Sequence, residues 1–202
     1  MTGSLQVFRR VLGARPWKNQ GFPRFFVMSD SQRLPDPKRL LSSLPKDSAI
    51  IFRHYDAPNR EQMARELVTL AHRKNIKVLI AGDWKLAHRC RADGVHWPEH
   101  LLGRLPGRPR SLKKSWLTSG AVHSRRNAAK AKAVSLDLAF ISPVFPTKSH
   151  SGKTTLGPYR LEELRILTGS KAIALGGLSL KTVRKLTISK PWGIAGIGLF
   201  KV

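Results

Sequence analysis

Apolar residues fall along this chain in short runs of four to eight, separated by longer stretches in which they recur at helical spacing. The strand-type runs are RFFVM from Arg24, AIIFRHY from Ala49, KVLIA from Lys77, GVHW from Gly94, SWLTSGAV from Ser115, LAFISPV from Leu138, KAIALGG from Lys171 and GIAGIGLF from Gly193. Several are apolar on both faces, as parallel strands are when helices cover one side and a closed interior the other. Between them, NREQMARELVTLAHRK sets Met63, Leu67, Leu70 and Ala71 on one helical stripe, and SLKTVRKL opens on Ser179, a residue type that caps helices. Eight alternating units predict a (β/α)8 TIM barrel, whose chemistry sits on the loops after the C-terminal ends of the strands. The fourth helix is weakly marked, because GRLPGRPRSLKK holds two prolines and two glycines. The chain ends at Val202, directly after the eighth strand, so the eighth helix is expected to be absent and one flank open. A second copy of the chain, or its own N-terminal segment, would then cover that flank.

At 202 residues and 41% hydrophobic, the chain suits one well-buried domain. The expected organisation is a basic N-terminal tail, 1–22, ahead of a single barrel domain, 23–202. Arg9, Arg10, Arg15 and Lys18 lie in that tail without an acid, a composition shared by organelle-targeting segments and plain basic tails. No apolar run approaches the roughly 20 residues of a membrane span, so a cytoplasmic protein is expected, with organelle targeting left open. Cys90 is the only cysteine, which rules out an internal disulfide and a thiolate metal cluster.

Lysine and arginine number 37 against 12 acids, a formal charge of +25 that favours anionic partners. The cations are scattered, and no zinc-finger or aromatic-glycine RNA-binding signature accompanies them, which argues against a nucleic-acid partner. A phosphorylated small molecule fits better. Gly176, Gly177, Gly196 and Gly198 close the seventh and eighth strands, where a bare backbone lets amides approach a phosphate. The loop after the sixth strand, SPVFPTKSHSGKTTLG, adds Thr147, Lys148, Ser149, His150 and Lys153 as candidate anion contacts. Arg53 stands in an otherwise apolar run, where an unpaired charge is costly, so it is expected to face Asp83 or a ligand anion. His123 closes the fifth strand and can serve as a general base. His96, in GVHW, reads as a packed structural histidine.

The strand-end runs ADGVHWPE, VHSRRNAAKA, SPVFPTKSHSGKTTLG, AIALGGLS and GIAGIGLF resemble, in order and spacing, those of the thiamine phosphate synthase/TenI family. The resemblance covers about Phe25 to Phe200. It implies a barrel that binds a thiazole phosphate and acts in one of two ways. Synthases join it to an aminopyrimidine pyrophosphate with Mg²⁺; tautomerases isomerise a thiazole phosphate carboxylate by proton transfer. Against the synthase pattern, Arg53 and Asp83 match a pyrophosphate arginine and a Mg²⁺ carboxylate. Ile51, Tyr55, Leu101 and His150 stand where synthases place glutamine, lysine, a second Mg²⁺ carboxylate and lysine, and Gly198 stands for a serine at the thiazole phosphate. Val122-His123-Ser124 looks more like the tautomerase branch. The resulting expectation is tautomerase-like proton transfer through His123, with Mg²⁺ needed only if synthase activity is retained. The alternatives are a working thiamine phosphate synthase and a barrel that only binds a phosphorylated ligand or a nucleic acid.

Overall fold

The computed structural model describes residues 2–13, 21–105, 109, 112–147 and 154–199. Eight parallel strands close into a barrel in chain order, β1 pairing with both β2 and β8. They are β1 Phe25–Met28, β2 Ser48–Phe52, β3 Lys77–Ala81, β4 Gly94–Trp97, β5 Leu117–Val122, β6 Leu138–Ile141, β7 Lys171–Leu175 and β8 Gly193–Gly196. The helices are α1 Thr2–Leu12, α2 Arg60–His72, α3 Trp84–Arg89, α4 Glu99–Leu102, α5 Arg125–Ala133, α6 Gly157–Thr168 and α7 Leu180–Val183.

Period-two alternation divides each strand between two cores. Phe26, Met28, Ile51, Leu79, Leu138, Phe140 and Ile173 fill the interior, whereas Phe25, Val27, Ile50, Phe52, Val78 and Ile80 join the layer beneath the helices. Phe140 is the hub of the interior, edge-on to Phe26 and to His96, each at 5.0 Å between ring centroids. Full burial of such a ring stabilises the fold by about 1.5–3 kcal/mol. His96 is itself interior, 2.9 Å through Nδ1 from the Ser119 hydroxyl, the structural role expected of it. α2 turns Ala64, Leu67, Val68 and Ala71 inward. The expected stripe is therefore displaced: Met63 is half-buried and Leu70 is exposed, because the sheet is met by the Ala64/Val68 side. Ser179 caps α7 in a reciprocal box with Thr182.

Residues Thr2–Leu12, read from their basic composition as part of a tail, form a helix. Phe8 and Leu12, four apart, are buried, and α1 packs against α7 and the 3-10 turn that follows it. Arg24 fastens its end: Nη2 donates to the Leu12 carbonyl at 2.6 Å and Nη1 to the Gly13 carbonyl at 2.9 Å, while Nε donates to Trp192. The N-terminal segment thus lies over the flank beside β1 and β8.

Candidate functional site

The C-terminal ends of the strands open onto a cavity of about 650 Å³. Arg33, Arg53, Ser142, Thr147, Gly176, Gly177, Gly196 and Gly198 line it, with Met28, Leu175, Ala195 and Leu199 supplying apolar wall. Of the residues anticipated from sequence, Arg53, Thr147 and the four glycines are brought together here. Lys148, Ser149, His150 and Lys153 lie outside the described residues.

The β6–α6 loop is stitched to β7 at its root. Val144 donates its amide to the Leu175 carbonyl at 2.9 Å and Phe145 to the Gly176 carbonyl at 3.1 Å, while Leu156 and Gly157 return to Pro143 and Val144. This stitching explains the paired glycines. Gly177 has a φ of +64°, and a Cβ there would sit 2.4 Å from the Pro146 carbonyl oxygen and 2.6 Å from that of Phe145. A valine at Gly177 would therefore strain the loop's seat on β7, so Gly177→Val is expected to lower stability.

Arg53 lies just beyond the end of β2, half-buried, where an arginine inside an apolar strand was anticipated. Its amide donates to the Ser29 hydroxyl at 2.8 Å. Asp83 is not its partner. Asp83 caps α3 by accepting the Leu86 amide at 2.8 Å, and its other oxygen is 3.8 Å from Nη1 of Arg60. Among the described residues, no hydrogen bond or ion pair reaches the Arg53 guanidinium. Arg33, reaching in from the loop after β1, was missed. The available signal was its place in the first loop of a barrel mouth, with Asp30 three residues earlier to orient it: the two side chains pair at 2.8 Å. That bond holds the Asp30 carboxyl down at about 2.

His123 stands beside the cavity, one residue removed from its wall. Nδ1 donates to the Ser142 carbonyl at 2.7 Å, which leaves Nε2 as the basic nitrogen of the neutral ring. Nε2 is 3.7 Å from a Glu99 carboxylate oxygen, and Glu99 also accepts from Asn127. The charges of Arg53 and His123 both add to the burial that drives the His96 pKa down to about 3, so all three groups share the top of the barrel.

The ends of β3 and β4 carry a different surface. Tyr55, Leu101 and Pro98 surround Gly82, within 3.4–3.9 Å of where its Cβ would be. The guanidinium of Arg60 donates to the Ala81 carbonyl at 2.7 Å and lies 5.6 Å from the Tyr55 ring centroid. Magnesium requires several well-placed oxygens. Asp83 has one oxygen on an amide and the other toward a cation, Leu101 contributes none, and Glu99 is engaged with Asn127. Among the described residues no three His, Cys, Asp or Glu side chains group as a metal site. The residues present do not fit a protein-held Mg²⁺.

Taken together, fold and mouth define a (β/α)8 barrel with a cavity lined by two arginines and four glycines at the C-terminal ends of its strands. The chain belongs to the thiamine phosphate synthase/TenI family: the family model described as thiamine monophosphate synthase matches residues 32–200. It is 26% identical over 183 residues to "Putative thiamine-phosphate synthase 2" of Aquifex aeolicus, covering 88% of this chain and 97% of that one. It is 25% identical over 186 residues to the thiamine-phosphate synthase of Anoxybacillus flavithermus, covering 86% and 83%. Among solved structures, thiamine phosphate pyrophosphorylase from Pyrococcus furiosus superposes with a TM-score of 0.67 at 19% identity, over 87% of this chain and 85% of that one. A citrate synthase reaches 0.61 at 13% identity over 92% and 90%, so these superpositions speak for the barrel and not for a reaction. No helix among the described residues is long and apolar enough to cross a membrane.

Proposed function

We propose that the protein is a thiamine phosphate synthase, joining an aminopyrimidine pyrophosphate to a thiazole phosphate. The observation that carries this reading is the cavity of about 650 Å³ faced by an Arg53 guanidinium without a described partner. It is of a size that takes drug-like ligands, and has room beyond one thiazole phosphate. The names of the full-length relatives point the same way and move the reading from proton transfer, anticipated from Val122-His123-Ser124, to group transfer.

In this reading the thiazole phosphate meets the backbone of Gly176, Gly177, Gly196 and Gly198, with Thr147 beside it. The bond from the pyrimidine methylene carbon to pyrophosphate oxygen breaks as the thiazole nitrogen takes that carbon. Negative charge accumulates on the departing pyrophosphate, and Arg53 with Arg33 stabilises it from the β1 and β2 side. Lys148, Ser149, His150 and Lys153, from the chain segment between β6 and α6, are the further contacts proposed for it.

One observation favours a second reading. The His123 Nδ1–H bond to the Ser142 carbonyl fixes Nε2 as a base beside the cavity, which is what isomerisation of a thiazole phosphate by proton transfer requires. One assay separates the two. Purified protein is given both substrates and, separately, a thiazole phosphate carboxylate, and thiamine phosphate, pyrophosphate and thiazole isomers are followed. Thiamine phosphate with equimolar pyrophosphate supports the synthase; isomerisation alone, lost in His123→Ala, replaces it with the tautomerase.

A further inference from the structure

His54 is buried one residue beyond Arg53, stacked on Phe52 with ring centroids 4.9 Å apart, and it touches neither cavity nor solvent. Its Nε2 is 3.0 Å from the Pro35 carbonyl oxygen, which can only accept, so Nε2 carries the proton. Nδ1 is then an acceptor, and the Ser29 hydroxyl, 3.0 Å away, donates to it. The Ser29 oxygen in turn accepts the Arg53 amide at 2.8 Å. Burial lowers the His54 pKa and keeps the ring neutral; the nearby charges are Asp30, which opposes that shift, and Arg53 and Arg60, which support it.

The chain of bonds runs from Arg53 through Ser29 and His54 to Pro35. Its two ends are the two loops that bring Arg53 and Arg33 to the cavity. A buried, fully partnered polar chain fixes geometry more than it adds stability. Neither end of it belongs to the glycine-rich side of the mouth.

We propose that Ser29 and His54 are positioning residues that set the Arg53 loop against the Arg33 loop so that both guanidinium groups meet one anion. This rests on the reading that Arg53 contacts the substrate's anionic group. The two loops are separate in sequence, and this chain holds Arg53 by its backbone amide while its guanidinium has no described bond.

The test is calorimetric titration of the full chain with inorganic pyrophosphate, with thermal unfolding of each variant as a check on folding. Arg53→Ala is expected to weaken binding tenfold or more, about the loss of a charge-assisted pair. Ser29→Ala is expected to weaken it about fivefold, the effect of one hydrogen bond. The double variant should bind no more weakly than Arg53→Ala alone, because with the guanidinium gone there is nothing to position. His54→Asn, whose amide oxygen can accept the Ser29 proton, should bind more tightly than His54→Phe, which keeps the stacking and accepts nothing. In turnover, Ser29→Ala should raise KM for the pyrophosphate substrate more than it lowers kcat. A folded Ser29→Ala with wild-type affinity, or a double variant whose losses multiply, overturns the proposal. Wild-type affinity in Arg53→Ala overturns it as well, and locates the failure in the anion site itself.

Discussion

The two halves of the barrel mouth are built on opposite principles. At the ends of β6, β7 and β8, glycines and a loop stitched by backbone amides leave an open cavity, and Arg33 and Arg53 face it from β1 and β2. At the ends of β3 and β4, Tyr55, Leu101 and Pro98 crowd together, and Arg60 supplies the countercharge for Asp83. In the first half the Arg53 guanidinium has no described partner, whereas in the second Asp83 and Arg60 are engaged with each other and with the backbone. An acidic or cationic residue at a strand end is thus poor evidence of chemistry until its partners are known.

The largest effect expected concerns His96, which lies beneath the mouth and is influenced by Arg53 and His123. Its folded pKa of about 3 is below that of an unfolded histidine, so the unfolded chain binds the extra proton between about pH 6.5 and 3. Its contribution to stability is complete above that window and is lost as pH falls through it. His96's share of the slope in urea unfolding, read as wild type minus His96→Gln, should be about 1.4 kcal/mol per pH unit. Next, Gly177→Val should destabilise the protein by about 3 kcal/mol and abolish phosphate binding, since a Cβ would strike two carbonyl oxygens. Retention of both by the variant would return the open half to an ordinary loop. Arg53→Ala should leave the melting temperature nearly unchanged and weaken pyrophosphate binding tenfold or more. Asp83→Asn should do least, within about 1 kcal/mol in stability, because asparagine also caps a helix, and within twofold in kcat/KM. Loss of turnover in Asp83→Asn would restore a metal to the closed half.

Much of the barrel could be read from the chain, because parallel strands buried on both faces leave continuous apolar runs whose order alone gives the topology. Helix α1 escaped because four arginines and lysines dominate the composition around it, while Phe8 and Leu12, which bury it, are only two residues. At the site, the motif glycines and Arg53 were legible as types, but not their partners. Arg53 was expected to face Asp83 or a ligand anion, whereas in space Asp83 faces Arg60, the first residue of α2, whose guanidinium reaches the Ala81 carbonyl at the end of β3, a contact without local signature. Arg33 was lost among 37 cations, since composition cannot say which loop bends into a cavity.

Group transfer between two phosphorylated substrates at the open half would show in thiamine phosphate and pyrophosphate followed together in the wild-type protein, Arg53→Ala, Asp83→Asn and His123→Ala. Both products should form in equal amounts, falling tenfold or more in Arg53→Ala and little in Asp83→Asn. Absence of thiamine phosphate, with isomerisation of a thiazole phosphate that depends on His123, would contradict it.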